Sequence, residues 1–257
     1  MSSFFNKALA SIGIGAAKVD TKLFQDKFIP GEMVKGIIEI KGGATEQRID
    51  EIYLTIATTY IKESNDNKVK KQGTIDKVKV VDSFTIGPSE LKEFPFSITL
   101  PINTPISLGQ SKVWIQTGLD IKNAIDPSDK DFIHVSPTPI VSAIINEAYD
   151  LGFSLRKVEC EEAPYRFRTQ FPFIQEFELI PTTGPFRGKL DEIEFIFLTQ
   201  TEDQVDVHMQ IDRRARGLGS LFAEALDMDE SFVNFTVTKN DIPQLKKKLG
   251  DIISRYC

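Results

Sequence analysis

The sequence predicts a mainly β protein: two tandem β-sandwich domains with short helices near the N- and C-terminal ends. Three observations carry this. The 257 residues include 30 isoleucines and 19 phenylalanines against one tryptophan, types that fit a pleated, half-buried surface. Apolar residues alternate with polar ones at period two through most of the first half. Turn-forming pairs recur between these runs, namely Pro30-Gly31, Gly42-Gly43 and Gly87-Pro88. No crossover helix fits between the runs, which excludes parallel βαβ units there.

The elements follow in order. Ser2 and Ser3 are candidate caps for a short amphipathic helix carrying Phe4, Phe5, Ala8, Leu9 and Ile12, stopped by Gly13 and Gly15. Strands are expected where one face repeats: Val19, Thr21, Leu23; Val34, Gly36, Ile38, Ile40; Ile52, Leu54, Ile56, Thr58, Tyr60; Phe94, Phe96, Ile98, Leu100; and Val113, Ile115, Thr117, Leu119, Ile121. Residues 123–131 are polar and hold Pro127, so they are expected to link domains at 1–125 and 126–257. Beyond a short strand at 132–135, Ile140, Ile144, Ala148 and Leu151 predict a helix ended by Gly152. Strands are expected at 153–160, 166–169, 175–180, 190–198, 204–212 and 231–238, with a helix at 218–226. A final helix starts at Asp241 as cap, with Pro243 in its first turn. Its apolar stripe is Ile242, Leu245, Leu249, Ile252, Ile253 and Tyr256.

Composition excludes several function classes. The formal net charge is −6, with 26% charged and 41% hydrophobic residues. That fits an ordinary globular chain and not a nucleic-acid binder, which shows a strongly basic domain. The two cysteines, Cys160 and Cys257, make no disulfide framework and have no metal-ligand spacing. No apolar run approaches the ~18 residues of a membrane span. The N-terminal stretch lacks a charged n-region, and Lys7 interrupts its apolar run, so a cytoplasmic location is expected.

No residue is assigned to catalysis, cofactor binding or a metal. The two histidines, His134 and His208, fall on expected strands, and no Gly-x-Ser-x-Gly accompanies them. His208 is expected on an exposed strand face. Gly217-Leu218-Gly219-Ser220, preceded by Arg213, Arg214 and Arg216, is the best anion-binding candidate, against a plain loop-to-helix junction. Asp126, Asp129 and Asp131 do not match the spacing of a calcium loop and are expected in a solvated linker. Asp212, Arg213 and Arg214, with Asp20 and Asp26, are candidates for polar contacts between the domains, because arginine forks suit carboxylates. Glu159, Glu161 and Glu162 form an acidic cluster. The final segment sets five cations against Asp241 and Asp251. Its Lys246, Lys247 and Lys248, together with Phe4, Phe5 and Leu9, are the candidate partner or membrane surface.

Several stretches resemble known families. Ile29-Pro30-Gly31-Glu32-Met33-Val34-Lys35-Gly36 resembles the Pro-Gly-Glu-x-Val-x-Gly signature of arrestin-type domains. Phe94-Pro95-Phe96-Ser97-Ile98-Thr99-Leu100-Pro101, followed by Pro105, resembles a later strand of the same domains. Ile12 to Thr21, Gln175-Glu176-Phe177, Leu190 to Glu194 and Asp212-Arg213-Arg214 are similar to the sporulation-control family of bacilli. The resemblance spans nearly the whole chain. It implies two tandem arrestin-like β-sandwich domains, no catalysis and no cofactor. It also implies a cytoplasmic adaptor that regulates an early stage of sporulation through contacts with other proteins. The chain is shorter than animal arrestins and has a helical tail, so no receptor-binding residue is carried across. The alternative is a peripheral membrane scaffold anchored by the terminal helices. Self-association stays open, and edge strands of such sandwiches recruit partners by β-augmentation.

Overall fold

The computed structural model describes residues 16–64, 67–121, 127–168, 170–213 and 230–257. The expected helices at 4–12 and 218–226 lie outside these residues. The chain is mainly β. Its strands are β1 (Lys18–Leu23), β2 (Lys27–Phe28), β3 (Met33–Lys41), β4 (Gln47–Ser64), β5 (Asn67–Val81), β6 (Phe84–Ile86), β7 (Leu91–Thr99), β8 (Val113–Ile121) and β9 (Ser128–Val135). After helix α1 (Pro139–Asp150) come β10 (Phe153–Glu162), β11 (Phe173–Pro181), β12 (Leu190–Gln200), β13 (Gln204–Arg213), β14 (Glu230–Thr238) and helix α2 (Leu245–Ser254).

The residues form two compact units. One comprises Met1–Thr59, Gln72–Ser107 and Lys112–Ser136; the other comprises Tyr60–Lys71, Leu108–Ser111 and Pro137–Cys257. In the first unit, β1, β3 and β7 make one antiparallel sheet. The other sheet runs from β4, flanked by β5 and β6, through β8 and β9 to β2. Alternate residues of β3 (Val34, Ile38, Ile40), β4 (Ile52, Leu54, Ile56) and β8 (Ile115, Leu119) are fully buried, as period two requires of a sheet with one covered face. Polar contacts tie β1 to the second sheet: the Thr21 and Thr117 hydroxyls lie 2.6 Å apart, and the Thr21 N–H donates to Asp129 at 2.7 Å. Pro95 sits within β7, which is an edge strand among the described strands, where the missing N–H breaks no ladder bond.

In the second unit, β10 to β14 form a five-stranded antiparallel sheet in sequence order. The end of β4 adjoins it, pairing in parallel only at Ile61 and Glu161. One face carries Val158, Phe177, Phe195 and Met209, aligned across four strands and all buried. Helix α1 contributes Ile140, Val141, Ile144, Ile145 and Ala148 to this core, and α2 contributes Leu245, Leu249 and Ile253.

Three expectations are corrected and one long strand is added. Residues 128–131 are not linker but the start of β9, because Asp129 turns inward to accept an N–H from β1. Residues 165–167 are a 3-10 turn and not a strand, with the Phe167 N–H donating to Pro164 at 2.8 Å. β5 was not foreseen: residues 67–72 are exposed on both faces, so no apolar alternation marks them. Asp241 is not the cap residue. It is the third residue of a 3-10 turn, Lys239–Gln244, and reaches back to the Thr238 N–H (2.8 Å) and hydroxyl (2.9 Å) in a capping box.

Candidate interaction surface

The second face of the β10–β14 sheet is polar, and register makes it so. Glu159 stands opposite Glu176, Glu178 opposite Glu194, and Glu192 opposite Asp212. Like charges directly opposite each other are destabilising. The face answers with two cations: Arg156 pairs with Glu178 and Glu192, and Lys157 pairs with Glu159 and with Glu161 (3.1 Å). Burial, aided by the Glu161 charge, pushes the Glu176 carboxyl up to about 7 against an opposing pull from Lys157. Burial also pushes Glu194 up to about 7, with Glu176, Glu192, Asp212 and Glu161 adding to it.

Toward β14 this face becomes aromatic. His208 is 5% exposed, which corrects its expected place on a solvated face. Its ring lies between Phe167 (4.6 Å between centroids) and Phe232 (5.6 Å), and its Nδ1 is 2.8 Å from the Asn234 Oδ1. The Arg166 guanidinium lies over Phe167 and Phe232. The 3-10 turn thus closes over the strand face on which His208 sits. Pro164 sets this turn up, since its fixed φ suits an i to i+3 bond and its own N–H is not needed. Beside it, Ala163, Ile174 and Ile196 form an apolar cluster joined by Phe167 and Leu198.

The same turn walls a groove within the second unit, with a cavity of about 280 Å³. Ile61 and Glu63 line one side, and Glu161 to Tyr165 with Arg168 line the other. Tyr165 is 91% exposed. Glu162 accepts from Lys62 (2.6 Å) and from Arg168 (3.0 Å), and the Arg168 Nε donates to the Ala163 carbonyl at 3.0 Å. The Lys62 ammonium, backed by Arg168 and Lys71, holds the Glu162 carboxyl below the usual carboxylate range.

The residues singled out from sequence fall on several elements. Asp20 lies on β1 and Asp26 in the following loop, where its carbonyl accepts the His134 N–H at 2.7 Å. Asp212 and Arg213 end β13. Phe4, Phe5, Leu9, Arg214, Arg216 and the 217–220 segment lie outside the described residues. Of the C-terminal lysines, Lys248 donates to the Thr236 carbonyl (2.7 Å) and pairs with Asp241 (3.2 Å), Lys246 is 3.9 Å from Asp150, and Lys247 is exposed. The stripe of α2 is spent on the body of the second unit, where Leu245, Leu249 and Ile253 are fully buried. Among the described residues, no helix is long and apolar enough to cross a membrane. Lys62, Tyr165, Arg168 and the Glu176–Glu194 pair were missed. The paired acids had a signal, since Glu176 and Glu178, and Glu192 and Glu194, share strand faces by alternation.

The conspicuous surface of this mainly β chain is a charged sheet face beside an exposed aromatic turn. The family model described as SpoOM protein matches residues 5–215, and the chain belongs to the Spo0M family. A curated relative, the sporulation-control protein spo0M of Bacillus subtilis (strain 168), is 42% identical over 257 residues, covering 99% of each chain. The crystal structure of Spo0M, sporulation control protein, from Bacillus subtilis superposes with a TM-score of 0.84 at 38% identity, covering 95% of this chain and 100% of that one.

Proposed function

We propose that the chain is a non-enzymatic adaptor that controls an early stage of sporulation from the cytoplasm through contacts with other proteins. The name of its family relative supplies the process. The observation that carries the contact mechanism is Tyr165, 91% exposed beside a charged groove that holds no histidine or cysteine. Aromatic side chains of this kind dominate the energetics of protein interfaces. The ring of His208 is occupied by Phe167, Phe232 and Asn234, which suits a structural role better than proton transfer. In-cell crosslinking with mass spectrometry in a sporulating host tests the reading. Reproducible crosslinks from this chain to other proteins, lost together with sporulation control on deletion, are expected. Unaltered control on deletion, or control retained with no reproducible crosslinked protein, overturns it.

A further inference from the structure

Three cations act on one carboxylate at the wall of the groove. Lys62 and Arg168 both contact Glu162, and Lys71 adds its charge to theirs. The other two acids of the groove are also answered: Glu63 by Lys68 at 3.3 Å and Glu161 by Lys157 at 3.1 Å. Lys70 lies two residues from Lys68 along β5, so it shares that face by strand alternation. Lys157 is shared with Glu159, so four acids (Glu63, Glu159, Glu161 and Glu162) stand against six cations (Lys62, Lys68, Lys70, Lys71, Lys157 and Arg168), and positive charge is left over although the protein as a whole is acidic. Arg168 is held in place by its bond to the Ala163 carbonyl, so part of that charge is pre-organised and costs little to present.

The shape is that of an extended chain. β4 and β10 pair only at Ile61 and Glu161, and their continuations wall the groove. Tyr165 stands at its rim as an anchor with few rotatable bonds. Charge decides among anionic occupants. A membrane surface calls for large apolar side chains next to the lysines, whereas Val69 is the one apolar residue in 67–72. A single-stranded nucleic acid calls for several stacking aromatics, and this rim has one.

Building on the adaptor reading, we infer that this groove docks an acidic, extended segment of a partner protein, with Tyr165 packing on it and Lys62, Lys71 and Arg168 receiving its carboxylates. The test uses the full chain and a fluorescein-labelled ten-residue peptide of alternating glutamate and threonine with a central tyrosine, followed by anisotropy at low and physiological salt. Tyr165→Ala and Lys71→Glu change exposed side chains and leave the core intact, which circular dichroism verifies. Binding that weakens with salt and falls about tenfold in either variant is expected, together with no binding of the same peptide carrying lysine for glutamate. Absence of binding, equal binding by the variants or binding of the lysine peptide overturns the inference. So does sedimentation with phosphatidylglycerol vesicles that depends on Tyr165 and Lys71 when the peptide does not bind. Crosslinks to partner proteins at another surface would remove this groove and leave the adaptor reading standing.

Discussion

Glu178 on β11 stands directly opposite Glu194 on β12, so two carboxylates share one cross-strand position. Arg156 pairs with Glu178, while burial first, and then the charges of Glu176, Glu192, Asp212 and Glu161, push the Glu194 carboxyl up to about 7. Its neighbour Glu176 behaves alike.

A pH dependence follows. Both folded values lie above the ordinary glutamate value of 4.5. The proton is bound more tightly in the folded chain, so this contribution to stability is full below the unfolded value and is lost as pH rises through about 7. Glu194→Gln keeps the neutral form at every pH. It is expected to raise stability at pH ~8 by about 1 kcal/mol, a figure reduced by the solvent screening of a partly exposed group, and to do little at pH ~5. Urea melts at the two pH values measure it, and equal effects at both would contradict the assignment.

Gly152 ends α1 at φ +98°, and a Cβ there would meet the Thr183 carbonyl oxygen at 2.4 Å. Gly152→Ala is therefore both strained and crowded. A loss of about 1–3 kcal/mol is expected, seen as a lowered melting temperature with an unchanged far-UV spectrum. A neutral variant would mean that the helix end does not need the left-handed conformation.

The buried His208 ring is hydrogen-bonded to the exposed side chain of Asn234. His208→Ala is expected to cost about 2–4 kcal/mol through the cavity left between Phe167 and Phe232. Asn234 is exposed, so water replaces it in Asn234→Ala and the expected cost is about 0.5–1.5 kcal/mol. In the double mutant the two losses should sum to more than the measured loss by about 0.5 kcal/mol or more, and strict additivity would separate the residues.

Helix α2 distinguishes its two faces. Leu249 is fully buried, and Leu249→Ala is expected to cost about 2–5 kcal/mol. Lys247→Ala, on the exposed side, is expected to stay within about ±0.5 kcal/mol. A comparable loss from both would place the lysine face against the body as well.

The sequence by itself determined the elements whose one face is covered. β3, β4, β8, β12 and β13 announce themselves by alternation, α1 by its spacing and by Gly152, and the stripe of α2 by Leu245, Leu249 and Ile253. Burial of one face imposes a period, and a period is visible in one dimension. The rest depended on partners distant along the chain. β9 begins in polar residues that read as linker because the N–H that Asp129 satisfies comes from Thr21, 108 positions away. β5 begins with residues exposed on both faces, which imposes no period at all. His208 looked solvated because its cover, Phe167 and Phe232, arrives from a turn and a neighbouring strand. Tertiary structure alone decided which charges meet: register sets Glu178 against Glu194, and the divergence of β4 from β10 gathers Lys62, Arg168 and Tyr165 around Glu162. Charge acts through space, so its pattern exists only once the strands have chosen their neighbours.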